Sequence, residues 1–169
     1  YAEGAGLALA KKPDSQEICF IPGGDYSVFI KAYLDDRGEE LPDSAGELVT
    51  PSGEVVGTHA GIHGFTVGQR KGLRLSSPEP KYVLAIHPDS HKVVVGADEE
   101  LLSRELRANR LNWISVAQLE GEMRVKVKIR HRHEPAWATL RTSGKDEVTA
   151  IFDEPQRAIT PGQSAVFYD

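Results

Sequence analysis

The chain has 169 residues, 40% of them hydrophobic and 27% charged, with a formal net charge of -5 and a single cysteine. This is globular composition, long enough for one medium domain or two small ones. One cysteine excludes an intramolecular disulfide framework and any four-cysteine or two-cysteine, two-histidine metal site within one chain, and no run approaches the roughly 18–20 apolar residues of a membrane-spanning helix.

The N-terminus, Tyr1-Ala2-Glu3-Gly4, has neither a basic n-region nor an apolar h-region, and it lacks a starting Met. The expectation is a reduced, cytoplasmic protein and a chain cut from a longer one. Charge is uneven: residues 1–100 carry nine Lys and Arg against sixteen Asp and Glu, while residues 101–169 carry eleven against nine. Bulk charge therefore does not mark a nucleic-acid binder, although a local basic stripe can act through its own field.

In chain order, Glu3 to Lys12 reads as a short helix stopped by Pro13. Ile18-Cys19-Phe20-Ile21 suits a buried strand. Asp25 or Ser27 can cap a helix over Val28–Leu34, whose apolar side holds Phe29, Ile30, Tyr33 and Leu34. After a polar loop, Leu48–Thr50 and Glu54–Val56 flank a Pro-Ser-Gly turn as a hairpin. Phe65-Thr66-Val67 is a short strand candidate, and Ser76-Ser77-Pro78-Glu79-Pro80 reads as a linker and domain boundary. Beyond it, Tyr82–Ile86 and Lys92–Val95 form a second hairpin. Leu101–Ala108 reads as one or two helical turns. Strands are expected at Leu111–Ser115, Met123–His133, Ala136–Thr142, Val148–Phe152 and Ser164–Tyr168. Many short strands between turn residues predict a mainly β protein ending in a small closed barrel, with a few short helices.

Residues 124–133 carry the most chemistry. In a strand, alternate side chains share a face. Arg124, Lys126, Lys128, Arg130 and Arg132 then form a row of cations about 6.6 Å apart, with Val125, Val127 and Ile129 facing the core. Such a row suits an RNA backbone, or else a solvated face balanced by acidic neighbours. Gly68-Gln69-Arg70-Lys71-Gly72 sets an amide and two cations between glycines. It is a candidate RNA-binding loop or simply a tight surface turn, and it lacks the spacing of a phosphate-binding P-loop. His59 and His63 stand four apart, but the glycines around them argue against a helix, so no metal is expected. Cys19 reads as a small buried hydrophobe or as a reactive thiol needing a cationic, partly exposed setting.

Three stretches together resemble one family. Asp14-Ser15-Gln16-Glu17-Ile18-Cys19-Phe20-Ile21-Pro22 resembles the segment around the second catalytic cysteine of the tRNA-specific 2-thiouridylases. Gly57-Thr58-His59, with Phe65 to Leu73, is similar to that family's central-domain signature. Phe152 to Tyr168, including Asp153-Glu154-Pro155-Gln156-Arg157-Ala158-Ile159-Thr160-Pro161-Gly162-Gln163, is similar to its C-terminal barrel signature.

The resemblance implies a three-part enzyme. An ATP-binding α/β domain adenylates the wobble uridine of tRNA, a small β-rich domain follows, and a barrel resembling domain 2 of elongation factor Tu ends the chain. It divides this sequence into 1–22, the end of an otherwise absent nucleotide-binding domain; 23–78, the central domain; and 79–169, the barrel. By resemblance, Cys19 bears a persulfide delivered by a sulfur-relay protein, and a second cysteine in the absent domain helps release the sulfur. Arg130, His131 and Gln163 fall at tRNA-contacting positions, joined by Lys128 and Arg132 of the basic stretch and by the Gln69-Arg70-Lys71 loop. Tyr is common in the family where His131 stands, and Gly where Arg74 stands. The family's usual last strand would follow Asp169. ATP is expected on the absent domain, so this chain alone is expected to be inactive. The other reading is a stand-alone tRNA-binding barrel without catalytic activity.

Overall fold

The computed structural model describes Gly4 and residues 26–40 and 43–169. The expected helix at Glu3–Lys12, the strand around Cys19 and the capping residue Asp25 therefore lie outside the described residues, Gly4 apart. The chain divides into two compact units, Tyr1–Asp43 and Ser44–Asp169. Among the described residues no helix is long and apolar enough to cross a membrane.

In the first unit, helix α1 spans Tyr26–Asp36, which puts Ser27 inside the helix rather than at its cap. Phe29 and Tyr33 stack one turn apart at 6.2 Å, as i,i+4 neighbours do. Gly38 ends the helix at φ 67, and the Glu39 N–H closes the turn on the Leu34 carbonyl at 2.9 Å.

The second unit holds two sheets. Strands β1 (Gly46–Val49), β2 (Val55–His59), β3 (Tyr82–His87) and β4 (Lys92–Gly96) form the first, in the order β2-β1-β4-β3. The β1–β2 hairpin turns where Gly53 takes φ 87 and Thr50 Oγ1 accepts the Glu54 N–H at 3.1 Å. β1 also runs parallel to β4, with Leu48 opposite Val93. Leu48, Leu73, Val83, Val93 and Val95 make the core of this sheet.

Strands β5 (Leu102–Asn109), β6 (Glu122–Lys128), β7 (Ala136–Gly144), β8 (Glu147–Arg157) and β9 (Val166–Tyr168) form the second sheet, antiparallel in the order β5-β8-β7-β6-β9. Its inner face follows the period of two: Leu106, Val125, Val127, Ala138, Leu140, Val148, Ala150 and Phe152 are buried together, joined by Ile129 just past β6.

The mainly β fold class expected from the pattern is therefore present, and several local expectations change. The hairpin after Pro80 pairs with β1, so the 78/79 boundary falls within the first sheet and the two sheets part between β4 and β5. Of the helical turns expected over Leu101–Ala108, only Leu101 is helical, and the rest is strand. A 3-10 turn, Asp98–Leu101, leads into β5, because Leu106 and Ala108 pack at period two once β8 supplies a pairing edge. Charged helix formers yield there to tertiary pairing. Leu111–Ser115 is not a strand, and Ile114 is 93% exposed. Phe65–Val67 is irregular chain whose Phe65 packs on the first core. Strand β6 stops at Lys128, and the Arg130 carbonyl accepts the His133 N–H at 3.0 Å in a tight turn.

Candidate nucleic-acid interface

Strand β6 sets Arg124, Lys126 and Lys128 on the outer face of the second sheet, opposite the buried Val125 and Val127. The other two cations of the expected row, Arg130 and Arg132, leave the strand and sit with His131 in the exposed β6–β7 turn. The row is thus three strand residues followed by a loop cluster. Repulsion along the strand is also relieved. Arg124 Nη1 and Nη2 donate to Asp153 Oδ1 and Oδ2 at 2.8 and 2.7 Å, a bidentate pair. Those hydrogen bonds hold the Asp153 carboxyl below its ordinary value, against a smaller opposing effect of desolvation. Arg124 and Lys126 both lie near the Trp137 ring, at 5.5 and 5.1 Å from its centre. Lys128 pairs in register with Val166 of β9 and makes no ion pair among the described residues.

The loop cluster is anchored rather than loose. Arg130 Nη1 donates to the Arg157 carbonyl at 2.9 Å, and His133 Nε2 meets Gln156 Oε1 at 2.8 Å. One bond leaves most of the Arg130 donor fork available, since a guanidinium carries five N–H groups. His131 and Arg132 are exposed. Gln163 is exposed in the turn that follows Ala158, its N–H reaching the Thr160 carbonyl at 3.4 Å.

Arg157 is a hub that the pattern of the sequence does not single out. Its Nε and Nη2 donate to Asp98 Oδ1 at 3.0 and 2.7 Å, and its guanidinium stands 5.2 Å from the Tyr82 ring centre. It therefore ties the end of β8 to the first sheet and to the 3-10 turn. The next residue, Ala158, adopts φ 53 and donates its N–H to the Leu101 carbonyl at 2.9 Å. Gly68, which opens the Gln69-Arg70-Lys71 loop, lies so close that a Cβ there would stand 3.0 Å from Ala158 Cβ. The loop, the end of β8 and the Arg130 turn thus converge on Arg157 and Ala158. A lone Arg at a strand end carries no periodic signal, so only its place within the 152–168 stretch pointed to it. Arg157→Ala is expected to cost about 1 kcal/mol in urea unfolding, the sum of a half-exposed ion pair and a cation–π contact. Arg157→Lys should recover less than half of that, because a lysine cannot reproduce the forked contact.

The Gln69 side chain is used within its own loop. Its Oε1 accepts the Thr66 N–H at 2.9 Å and its Nε2 donates to the Lys71 carbonyl at 2.9 Å. Arg70 and Lys71 remain exposed. His59 is structural: its Nε2 lies 3.0 Å from the His91 carbonyl and its ring meets Phe65 edge-on at 5.0 Å. His63 is exposed. Among the described residues no group of three or more His, Cys, Asp or Glu is arranged to hold a metal ion. Cys19 lies outside the described residues.

Comparison with known proteins agrees with this architecture. Residues 31–97 match the tRNA methyl transferase PRC-barrel domain, and residues 103–169 match the aminomethyltransferase β-barrel domain. The break between these matches coincides with the β4–β5 parting of the sheets. The tRNA-specific 2-thiouridylase MnmA of Acidobacterium capsulatum is 66% identical over 167 residues, 96% of this chain and 45% of that protein. The proteins of the same name in Koribacter versatilis and Solibacter usitatus are 61% and 51% identical over 99% of this chain and 45% and 46% of their own length. The chain thus spans a little under half the length of these relatives. With both domain matches in order and such identity along nearly all its residues, the chain belongs to the tRNA-specific 2-thiouridylase family.

Proposed function

We propose that this chain supplies the tRNA-contacting surface and the persulfide-bearing thiol of an enzyme that makes 2-thiouridine at the wobble position of tRNA. The observation that carries the tRNA part is the anchored Arg130. Its guanidinium is tied at one nitrogen to the Arg157 carbonyl while the residue stays exposed. Arginine held in this way presents its remaining donors to a phosphate with little further loss of freedom. Lys128, His131, Arg132 and Gln163 are the further tRNA contacts expected in this reading.

In this reading Cys19 accepts sulfur as a persulfide from a relay protein in the cytoplasm. The persulfide sulfur attacks the activated uridine, and a second thiol outside this sequence frees the product as a disulfide forms. ATP supplies the activation, turning the 2-oxygen into part of a good leaving group. In this reading ATP is bound outside these residues, so no step is assigned to them through that nucleotide, and this chain by itself is expected to form no 2-thiouridine.

Charge reversal tests the surface. Lys128→Glu with Arg130→Glu should weaken tRNA binding about 10-fold or more. It should also lower the slope of log affinity against log salt by roughly 2, as expected for two lost phosphate contacts. A wild-type protein without salt-dependent tRNA binding would rule the reading out.

A further inference from the structure

We propose a second anion site, in the groove between the Gly68–Gly72 loop and the Ser77–Lys81 segment, that holds a backbone phosphate of the bound RNA through residues other than Arg130. The proposal rests on the tRNA reading above and adds a contact to it. The groove measures about 290 Å³, and Arg70, Arg74, Lys81, Leu73, Ser77 and Glu79 are among the residues that line it. Three cations there meet one carboxylate. None of the three makes an ion pair among the described residues. Like charges gathered around a small polar groove repel one another until an anion enters, so the groove holds a positive potential.

Two features of the backbone indicate a built site. Arg74 adopts φ 53, a left-handed conformation that glycine takes without strain and a long side chain does not. This chain carries a cation at the groove wall where the family it resembles usually has Gly, so the strained Arg74 is a feature of this sequence. The loop is also held firmly. The Gly68 N–H donates to the Val83 carbonyl at 2.8 Å, and the Val83 N–H donates to the Gln69 carbonyl at 2.9 Å. Gln69 braces Thr66 and Lys71, and Leu73 is buried in the first core. Cations on a braced loop lose less freedom on binding than cations on a floppy one.

The lining decides the ligand class. No aromatic side chain offers a base a stacking surface. A phosphodiester needs only charge and hydrogen-bond donors, and such contacts set the position of an RNA without reading its sequence.

The test is a salt series of tRNA binding with the full-length protein that carries this chain. It compares wild type, Arg74→Gly, Arg70→Ala with Lys81→Ala, and Arg130→Ala. Arg74→Gly should weaken binding roughly 3- to 10-fold, and each groove variant should lower the salt slope by up to about 1, the share of one phosphate, with the larger drop in the double variant. The melting temperature of Arg74→Gly should hold or rise, because glycine relaxes that position, which separates lost contact from lost fold. Unchanged affinity and slope in both groove variants, with Arg130→Ala still weakened, would overturn this proposal and leave the tRNA reading standing. Pyrophosphate that binds wild type and not the double variant, with an unchanged tRNA slope, would assign the groove to a free phosphate ligand and also overturn it. Salt-independent binding by wild type would sink both.

Discussion

Replacing Cys19 with serine in the full-length protein is expected to lower 2-thiouridine formation on the order of 1,000-fold or more, the scale on which enzymes lose rate when a nucleophile is removed. A hydroxyl cannot carry a sulfane sulfur, so no conservative side chain substitutes for the thiol. Mass spectrometry of nucleosides from modified tRNA reads the outcome. Binding of tRNA should stay within about threefold of wild type, since the exchange of sulfur for oxygen leaves every side chain proposed to contact tRNA unchanged. Near-normal thiolation by the serine variant would remove the catalytic role of Cys19 and leave this chain only its tRNA-binding part in the reading. Loss of thiolation with intact tRNA binding supports the enzyme.

The largest effect on stability should come from Phe152→Ala, at about 3–5 kcal/mol. Phe152 is 1% exposed and sits on β8, the strand that pairs with both β5 and β7. Truncation removes most of an aromatic side chain from the centre of a close-packed cluster, and the strands around it cannot collapse into the gap without breaking their register. Urea unfolding should show a lower midpoint with little change in slope. Phe152→Leu, which keeps most of the volume, should lose under half as much. Equal losses for the two variants would mean that the aromatic ring itself, rather than the cavity, sets the cost.

The two experiments probe parts of the chain that were legible to different degrees. The inner face of the second sheet could be read from alternation alone. Val125, Val127, Ala138, Leu140, Val148, Ala150 and Phe152 recur at period two, and a pleated strand with one dry side requires that spacing. The basic row was legible as a composition but not as a shape. Alternation continues through Ile129, so nothing local marks Lys128 as the end of β6. The turn at Arg130 forms because β7 returns along β6 from Ala136. Leu101–Ala108 failed for a related reason: a segment of good helix formers became a strand when β8 offered it unpaired backbone groups.

By itself the sequence determined the mainly β class, the inward set of Val125, Val127 and Ile129, and the family. These depend on local period and on side-chain type, both written along the chain. Only the tertiary structure decided which elements share a sheet, where β6 ends, and that the Gly68 loop, the Arg130 turn and the end of β8 meet at Arg157. Strand partners and strand-end contacts join residues far apart in sequence. The bond from Arg157 to Asp98 spans 59 positions, and no periodicity records a contact of that range.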